Sequence, residues 1–379
     1  MRLAVVLMFA FVSSALAMET TSVAPVTEAI ARAMAAGKLP GAVVWVEQGA
    51  QSRHWALGDR ALVPQQEAMT EDTIFDAASL TKVVATAPSM MLLIERGRVK
   101  LDAPVREYLP EFAAADVTVR HLLTHTSGLP AEIPRDLAAP NWRGYEEGIR
   151  RACACTPDPA PGTVFRYSDV NFILLGEIVR RVSGRTLDEF ARAEIFVPLG
   201  MKDTGFRPAL EQRARIAPTE RDAEGTMLRG VVHDPTSRRM GGVAGHAGLF
   251  TTAADLARYA RVMLRGEVDG VRLLKPETLR LMQATQSPAT VPERRGLGWD
   301  IDTKYSRPRG RIFPIGSFGH TGFTGTALWI DPSSDTFYVF LSSRLHPDGK
   351  GNVRDLYEEI GTEVARLVGA GGAHQTPSR

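Results

Sequence analysis

Apolar and polar residues alternate along residues 41–59, and that period of two predicts a pair of strands. They are Ala42-Val43-Val44-Trp45-Val46 and His54-Trp55-Ala56-Leu57, joined by a turn. The pattern then changes. Ser79 opens an apolar run, Val83-Val84-Ala85-Thr86-Ala87, which continues through Met90-Met91-Leu92-Leu93-Ile94 and reads as a buried helix with Ser79 in its first turn. Helices and loops dominate from Ser79 to about Arg280, with further helices at residues 172–179, 187–195 and 253–264, the last capped by Thr251-Thr252. After Gly296-Leu297-Gly298-Trp299 the chain returns to strands. Residues 326–330 and 336–341 form a hairpin around the turn at 332–335. Val353, Leu356, Ile360, Val364 and Leu367 recur at helical spacing and predict a last helix that covers the sheet. The fold class is therefore α+β, with an antiparallel sheet built from both ends of the chain and a mainly helical insert between them.

The ends and the composition narrow this further. Arg2 precedes an apolar run at residues 3–12, and Ala15-Leu16-Ala17 has the small residues of a cleavage site. Residues 1–17 are expected to be a secretory signal peptide, because the run is too short to span a bilayer. The mature protein is then exported, periplasmic or secreted, with no stable membrane insertion. One domain is expected over residues 18–370, its α/β part at about 18–78 and 285–370 and its helical part at about 79–284. Residues 371–379 are expected to form a flexible tail. A net charge of +2 over 379 residues, with no basic block, gives no reason to expect nucleic acid as a partner. Cys153 and Cys155 are the only cysteines, and their Arg- and Pro-rich surroundings suggest a loop with partly exposed thiols. Two cysteines and scattered histidines lack metal-ligand spacing, so neither a metal nor a cofactor is called for.

Three short motifs carry the chemistry. In Ser79-Leu80-Thr81-Lys82, a helical turn sets Lys82 beside the Ser79 hydroxyl, where it can take or relay the proton. In Tyr167-Ser168-Asp169, the tyrosine stands at a loop-to-helix junction and can present its phenol to a neighbouring site. A nearby ammonium lowers the pKa of such a phenol. In His320-Thr321-Gly322, glycines at 319, 322 and 325 allow close backbone approach, and a bare strand edge offers N–H and C=O groups to an extended substrate. His125 and His246 lie in glycine-bearing loops that they are expected to fix, and His233-Asp234-Pro235 offers a carboxylate to orient an imidazole. A Ser-His-Asp triad of the α/β-hydrolase kind is improbable, because the chain has no Gly-x-Ser-x-Gly elbow.

These motifs, in this order, resemble those of the serine β-lactamase and penicillin-binding-protein superfamily. The resemblance is to the branch of class C β-lactamases, related carboxylesterases and low-molecular-weight penicillin-binding proteins. Arg120-His121-Leu122-Leu123-Thr124-His125-Thr126-Ser127-Gly128-Leu129 and the glycine-rich stretch 241–250 extend it across roughly residues 25–370. It implies an active-site cleft between the two parts of the fold, with N- and C-terminal helices on the sheet. It also implies an acyl-enzyme on Ser79, proton handling by Lys82 and Tyr167, and an oxyanion hole from the N–H groups of Ser79 and Phe323. Asp169, His320, Thr321, Gly322 and Phe323 are then expected to contact substrate.

Two positions depart from the lactamase pattern, with His320 in place of lysine and Asp169 in place of asparagine. Asn171 is the nearby amide that could substitute, given a suitable backbone turn. Both departures reduce local positive charge, so an anionic β-lactam should be held less well. The expectation is an exported serine hydrolase of esters or small amides with weak β-lactam turnover. The alternatives are a DD-peptidase or penicillin-binding protein, a true class C-type β-lactamase, and a non-turnover binder of cell-wall fragments. The expected partner is a small-molecule ester, amide or cell-wall peptide; the oligomeric state stays open.

Overall fold

Strands from both ends of the chain share one sheet. The computed structural model describes residues 22–134 and 141–370, so the predicted leader at 1–17 and tail at 371–379 lie outside the described residues. The strands are β1 (Gly41–Gln48), β2 (Gln51–Ala61), β3 (Glu67–Ala68), β4 (Phe75–Asp76), β5 (Gly205–Phe206), β6 (Leu249–Thr251), β7 (Arg294–Arg295), β8 (Asp300–Asp302), β9 (Phe318–Gly322), β10 (Thr326–Asp331) and β11 (Thr336–Ser342). Eight of them form a sheet in the order β3-β2-β1-β11-β10-β9-β8-β7. The first hairpin thus docks on the last, antiparallel, with Val44 opposite Phe340. A small second sheet, β4-β6-β5, lies in the intervening segment.

The helices are α1 (Ala24–Ala35), α2 (Ala87–Glu95), α3 (Val119–Leu123), α4 (Tyr145–Cys153), α5 (Asp169–Ser183), α6 (Leu187–Ala191), α7 (Pro235–Arg239), α8 (Ala253–Arg265), α9 (Pro276–Gln283) and α10 (Arg354–Leu367). None of the described helices is long and apolar enough to cross a membrane.

Alternation along the central strands sends side chains into two separate cores. Val44, Val46, Ala327, Trp329, Tyr338 and Phe340 face α1 and α10 and pack with Ile30, Ile360 and Val364. Val43, Leu328, Ile330, Phe337, Val339 and Leu341 face the helical segment and join a larger core with Val83, Met90, Phe172 and Leu256. Both faces are covered, which is why these strands read as nearly continuous apolar runs. Each large side chain buried this way contributes about 1.5–3 kcal/mol against exposure.

One expectation is corrected. Cys153 closes α4 and Cys155 follows it, and both are thiols buried in the larger core rather than partly exposed in a loop. The arginines that suggested exposure, Arg150 and Arg151, turn to Glu147 on the other side of the helix. The amphipathic period of α4 carries Ile149, Ala152 and Cys153 inward.

Candidate active site

Ser79 stands in the tight turn that leads from β4 into the helix. Ala78 before it has φ 46°, the left-handed region that an alanine rarely adopts. The turn is over-determined by its neighbours. The Asp76 carboxylate accepts the N–H of Ala78 at 2.9 Å and that of His233 at 2.7 Å. Thr324 and Thr326, from the β9–β10 hairpin, donate to the carbonyls of Asp76 and Ala77. Gly322 completes the clamp, since a Cβ there would lie 2.5 Å from the Ala77 carbonyl oxygen. Strain of this kind persists only where the surroundings enforce it.

The chain after Ser79 starts as one helical turn and widens to a π-turn at Lys82–Thr86 before α2. Lys82 is fully buried, and its Nζ lies among oxygens. They include Ser79 Oγ at 2.9 Å, the His246 carbonyl at 3.0 Å and Asp169 Oδ1 at 2.7 Å. Burial opposes the charge on this ammonium, but Asp169 and Tyr167 outweigh it and hold the pKa above the ordinary lysine value. The loop that supplies the His246 carbonyl can approach because it is glycine-rich. A Cβ on Gly245 would sit 1.8 Å from the Phe172 carbonyl, and Thr86 donates to the Gly245 carbonyl at 2.6 Å.

Tyr167 enters from the N-terminus of α5. Ser168 caps that helix, its Oγ accepting the Asn171 N–H. The His125 ring stacks on the Tyr167 ring at 4.4 Å and accepts the Ser168 N–H through Nδ1 at 3.1 Å. His125 itself has φ 56°, so a second strained residue braces the second motif. The Tyr167 hydroxyl is in hydrogen-bonding reach of both Ser79 and Lys82; burial pushes its pKa up and the ammonium pulls it down, with a net rise. At neutral pH the site therefore rests as a phenol beside an ammonium–carboxylate pair.

β9 forms the opposite wall. It pairs with β8 only at Gly319, so His320, Thr321 and Gly322 present a free edge to the cleft. Among the described residues, no hydrogen-bond partner is found for the N–H groups of Ser79 and Phe323. His320 is buried, donates through Nδ1 to the Thr321 carbonyl at 2.8 Å and lies 5.9 Å, ring to ring, from Tyr167. Burial and nearby Arg295 keep it neutral, well below the usual imidazole range.

The cleft has a volume of about 730 Å³, and Ser79, Tyr167, His320, Thr321, Gly322 and Phe323 all line it. Lys82 lies beneath Ser79. Asp169 directs a carboxylate oxygen at Lys82, and the cleft lining does not include it. Asn171 is spent internally, its Oδ1 accepting the Ser127 hydroxyl at 2.6 Å.

Sequence reasoning missed the rim. Lys304, Arg344 and Arg354 line the cleft, and among the described residues none of them has a carboxylate within 4 Å. Arg344 donates to the Phe323 carbonyl at 2.7 Å and stacks on the Phe323 ring at 4.5 Å. The reduced positive charge of the motifs is offset elsewhere on the cleft: β9 carries His320 in place of a lysine, while the loops of Lys304 and Arg344 and the start of α10 at Arg354 supply cations. No local motif marks those positions. The histidine-bearing loops behave as expected, His125 bracing Tyr167 and the Asp234 carboxylate holding His246 Nε2 at 2.8 Å.

A family model described as Beta-lactamase matches residues 26–362 of the chain. A protein of Escherichia coli (strain K12), provisionally named D-alanyl-D-alanine carboxypeptidase, is 32% identical over 323 residues, covering 75% of this chain and 72% of that protein. The class C β-lactamase from Rhodobacter sphaeroides superposes with a TM-score of 0.69 at 23% identity, over 90% of this chain and all of that one (100%). EstCE1, a hydrolase with promiscuous acyltransferase activity, superposes with a TM-score of 0.72 at 22% identity, over 92% of this chain and 98% of its own. At such identities the two structures speak for the fold alone.

Proposed function

The chain belongs to the β-lactamase family of serine hydrolases, and from that premise we propose that it is an exported acyl hydrolase whose nucleophile is Ser79. The observation that carries this reading is the fully buried Lys82, its Nζ 2.9 Å from Ser79 Oγ. A buried ammonium is costly unless it has partners and a task. Ser79 attacks a carbonyl carbon, and its proton passes into the Lys82–Tyr167 pair and on to the leaving group. Water then releases the acyl group by the same steps in reverse. The free N–H groups of Ser79 and Phe323 receive the developing oxyanion, a contribution commonly worth about 3 kcal/mol per donor.

For the substrate, the basic rim favours an acyl donor that carries a carboxylate. A peptide ending in D-Ala-D-Ala fits, and the activity in the name of the E. coli relative supports this reading. A second reading, short neutral esters, is favoured by the neutral His320 and by Phe323, which is 61% exposed at the cleft mouth.

The test is turnover of an N-acylated peptide ending in D-Ala-D-Ala, a short-chain p-nitrophenyl ester and a chromogenic cephalosporin by wild type and Ser79→Ala. Ser79-dependent release of D-alanine faster than ester cleavage is expected. Ester cleavage alone selects the second reading, and rapid cephalosporin turnover selects a β-lactamase. Activity that survives the substitution removes Ser79 as the nucleophile. Export is tested by fractionation, with the expected product shortened by the leader.

A further inference from the structure

The Lys82 ammonium sits in an acidic cluster that the reaction scheme above leaves unused. Asp169 Oδ1 is 2.7 Å from Nζ, and side-chain atoms of Asp169, Asp234 and His246 all lie within 4.8 Å of one another. His246 Nε2 is 2.8 Å from Asp234, and its own carbonyl accepts from Lys82 at 3.0 Å. The cation in this cluster is the lysine itself. An amine that already holds its proton cannot accept another from Ser79, so the surplus proton needs a place to go that does not require release to water.

We propose that Asp169 is that place: a positioning residue that takes the surplus proton from Lys82 and returns it after each acyl transfer, with Asp234 and His246 setting its readiness to do so. The proposal rests on the reading of Ser79 as nucleophile. One proton moves from Nζ to the Asp169 carboxylate, leaving a neutral amine and a carboxylic acid with no change in net charge. The Ser79 Oγ–carbon bond then forms while the hydroxyl proton moves to Nζ. As the carbon–leaving-group bond breaks, Nζ gives that proton to the leaving group, and Asp169 returns its own. Asp234 helps by placing a second negative charge within 4.8 Å of Asp169. His246 limits that help by pairing with Asp234. The other titratable groups near this network are Tyr167 above Lys82, Asp76 and His233 beside Asp234, and Arg295, His125 and His320 across the floor.

The sign of the effect separates this from the main rival, a Tyr167 phenolate acting as base. With Asp169 present, the pair carries one shared proton over a wide pH range, and acylation should be nearly flat from alkaline into mildly acid pH. Asp169→Asn removes the internal acceptor, so Lys82 must lose its proton to solvent and the acid limb moves up. If a phenolate were the base, removing the neighbouring negative charge would lower the tyrosine pKa and move the limb down.

The measurement is the second-order labelling rate of the full chain by a fluorophosphonate probe from pH 5 to 10. For Asp169→Asn we expect a loss of about tenfold per pH unit below the new limb and rates close to wild type at the alkaline end, with Asp169→Glu restoring the flat profile. An unchanged limb, or one that moves down, overturns the proposal. Should Asp169→Asn fail to fold, Asp234→Asn decides it: a lowered plateau with unchanged probe affinity is expected, and an unchanged plateau overturns the proposal. Ser79→Ala is run alongside. Labelling that persists there removes the nucleophile itself, a failure distinct from an unmoved limb.

Discussion

The floor and the rim of the cleft are built on opposite plans. On the floor, Ser79, Lys82, Tyr167 and His125 are held by strained backbone, buried hydrogen bonds and close glycine contacts. On the rim, Lys304 and Arg344 stand on loops and Arg354 opens α10, all free of carboxylates among the described residues. Proton transfer between fixed atoms needs geometry held to a fraction of an ångström. Attraction of an anion needs only cations in the neighbourhood, because charge acts over many ångströms. The floor should therefore govern the rate of bond making, and the rim the choice of what is bound.

The comparison breaks or sharpens under substitution. Ser79→Ala should have the largest effect, a loss of at least about 10³-fold in turnover of every substrate, measured by steady-state kinetics. His125→Ala comes next: losing the ring that braces Tyr167 should lower kcat by about 10²-fold with KM little changed. A rise in KM instead would make the floor a binding surface and blur the distinction. Arg344→Ala is the counterpart on the rim. It should raise KM about tenfold, close to 1.4 kcal/mol, for a carboxylate-bearing peptide. A neutral ester should be almost unaffected, and added salt should shrink the difference.

A separate prediction concerns stability. Burial keeps His125 and His320 neutral in the folded protein, well below the imidazole range, while the unfolded chain titrates near the ordinary value. The unfolded state then binds more protons in acid. Stability should be full above about pH 6.5 and fall below it by up to about 1.4 kcal/mol per pH unit for each histidine. Urea midpoints between pH 8 and 5 check this, and His125→Phe should flatten the slope.

Much of the fold is legible in the sequence. The hairpin at β1 and β2, the hairpin at β10 and β11, and α5, α8 and α10 follow from short apolar runs bounded by turns and from helical spacing of the apolar residues. Ser79 beside Lys82 was readable because a helical turn is local. The pairing of Asp169 with Lys82 needs two separate motifs to meet in space. Cys153 and Cys155 were misread because their polar neighbours hid the inward face of α4. The basic rim went unseen because Lys304, Arg344 and Arg354 belong to no motif.

The sequence by itself determined the strands, the helices and the order of the three motifs, because each depends on residues a few positions apart. Only the tertiary structure decided which charges meet. Whether Lys82 faces a carboxylate, whether His320 is dry enough to stay neutral and whether the cleft is cationic all depend on distances between segments far apart in the chain. Coulomb interaction and desolvation respond to those distances and to burial. Neither quantity is written in local sequence.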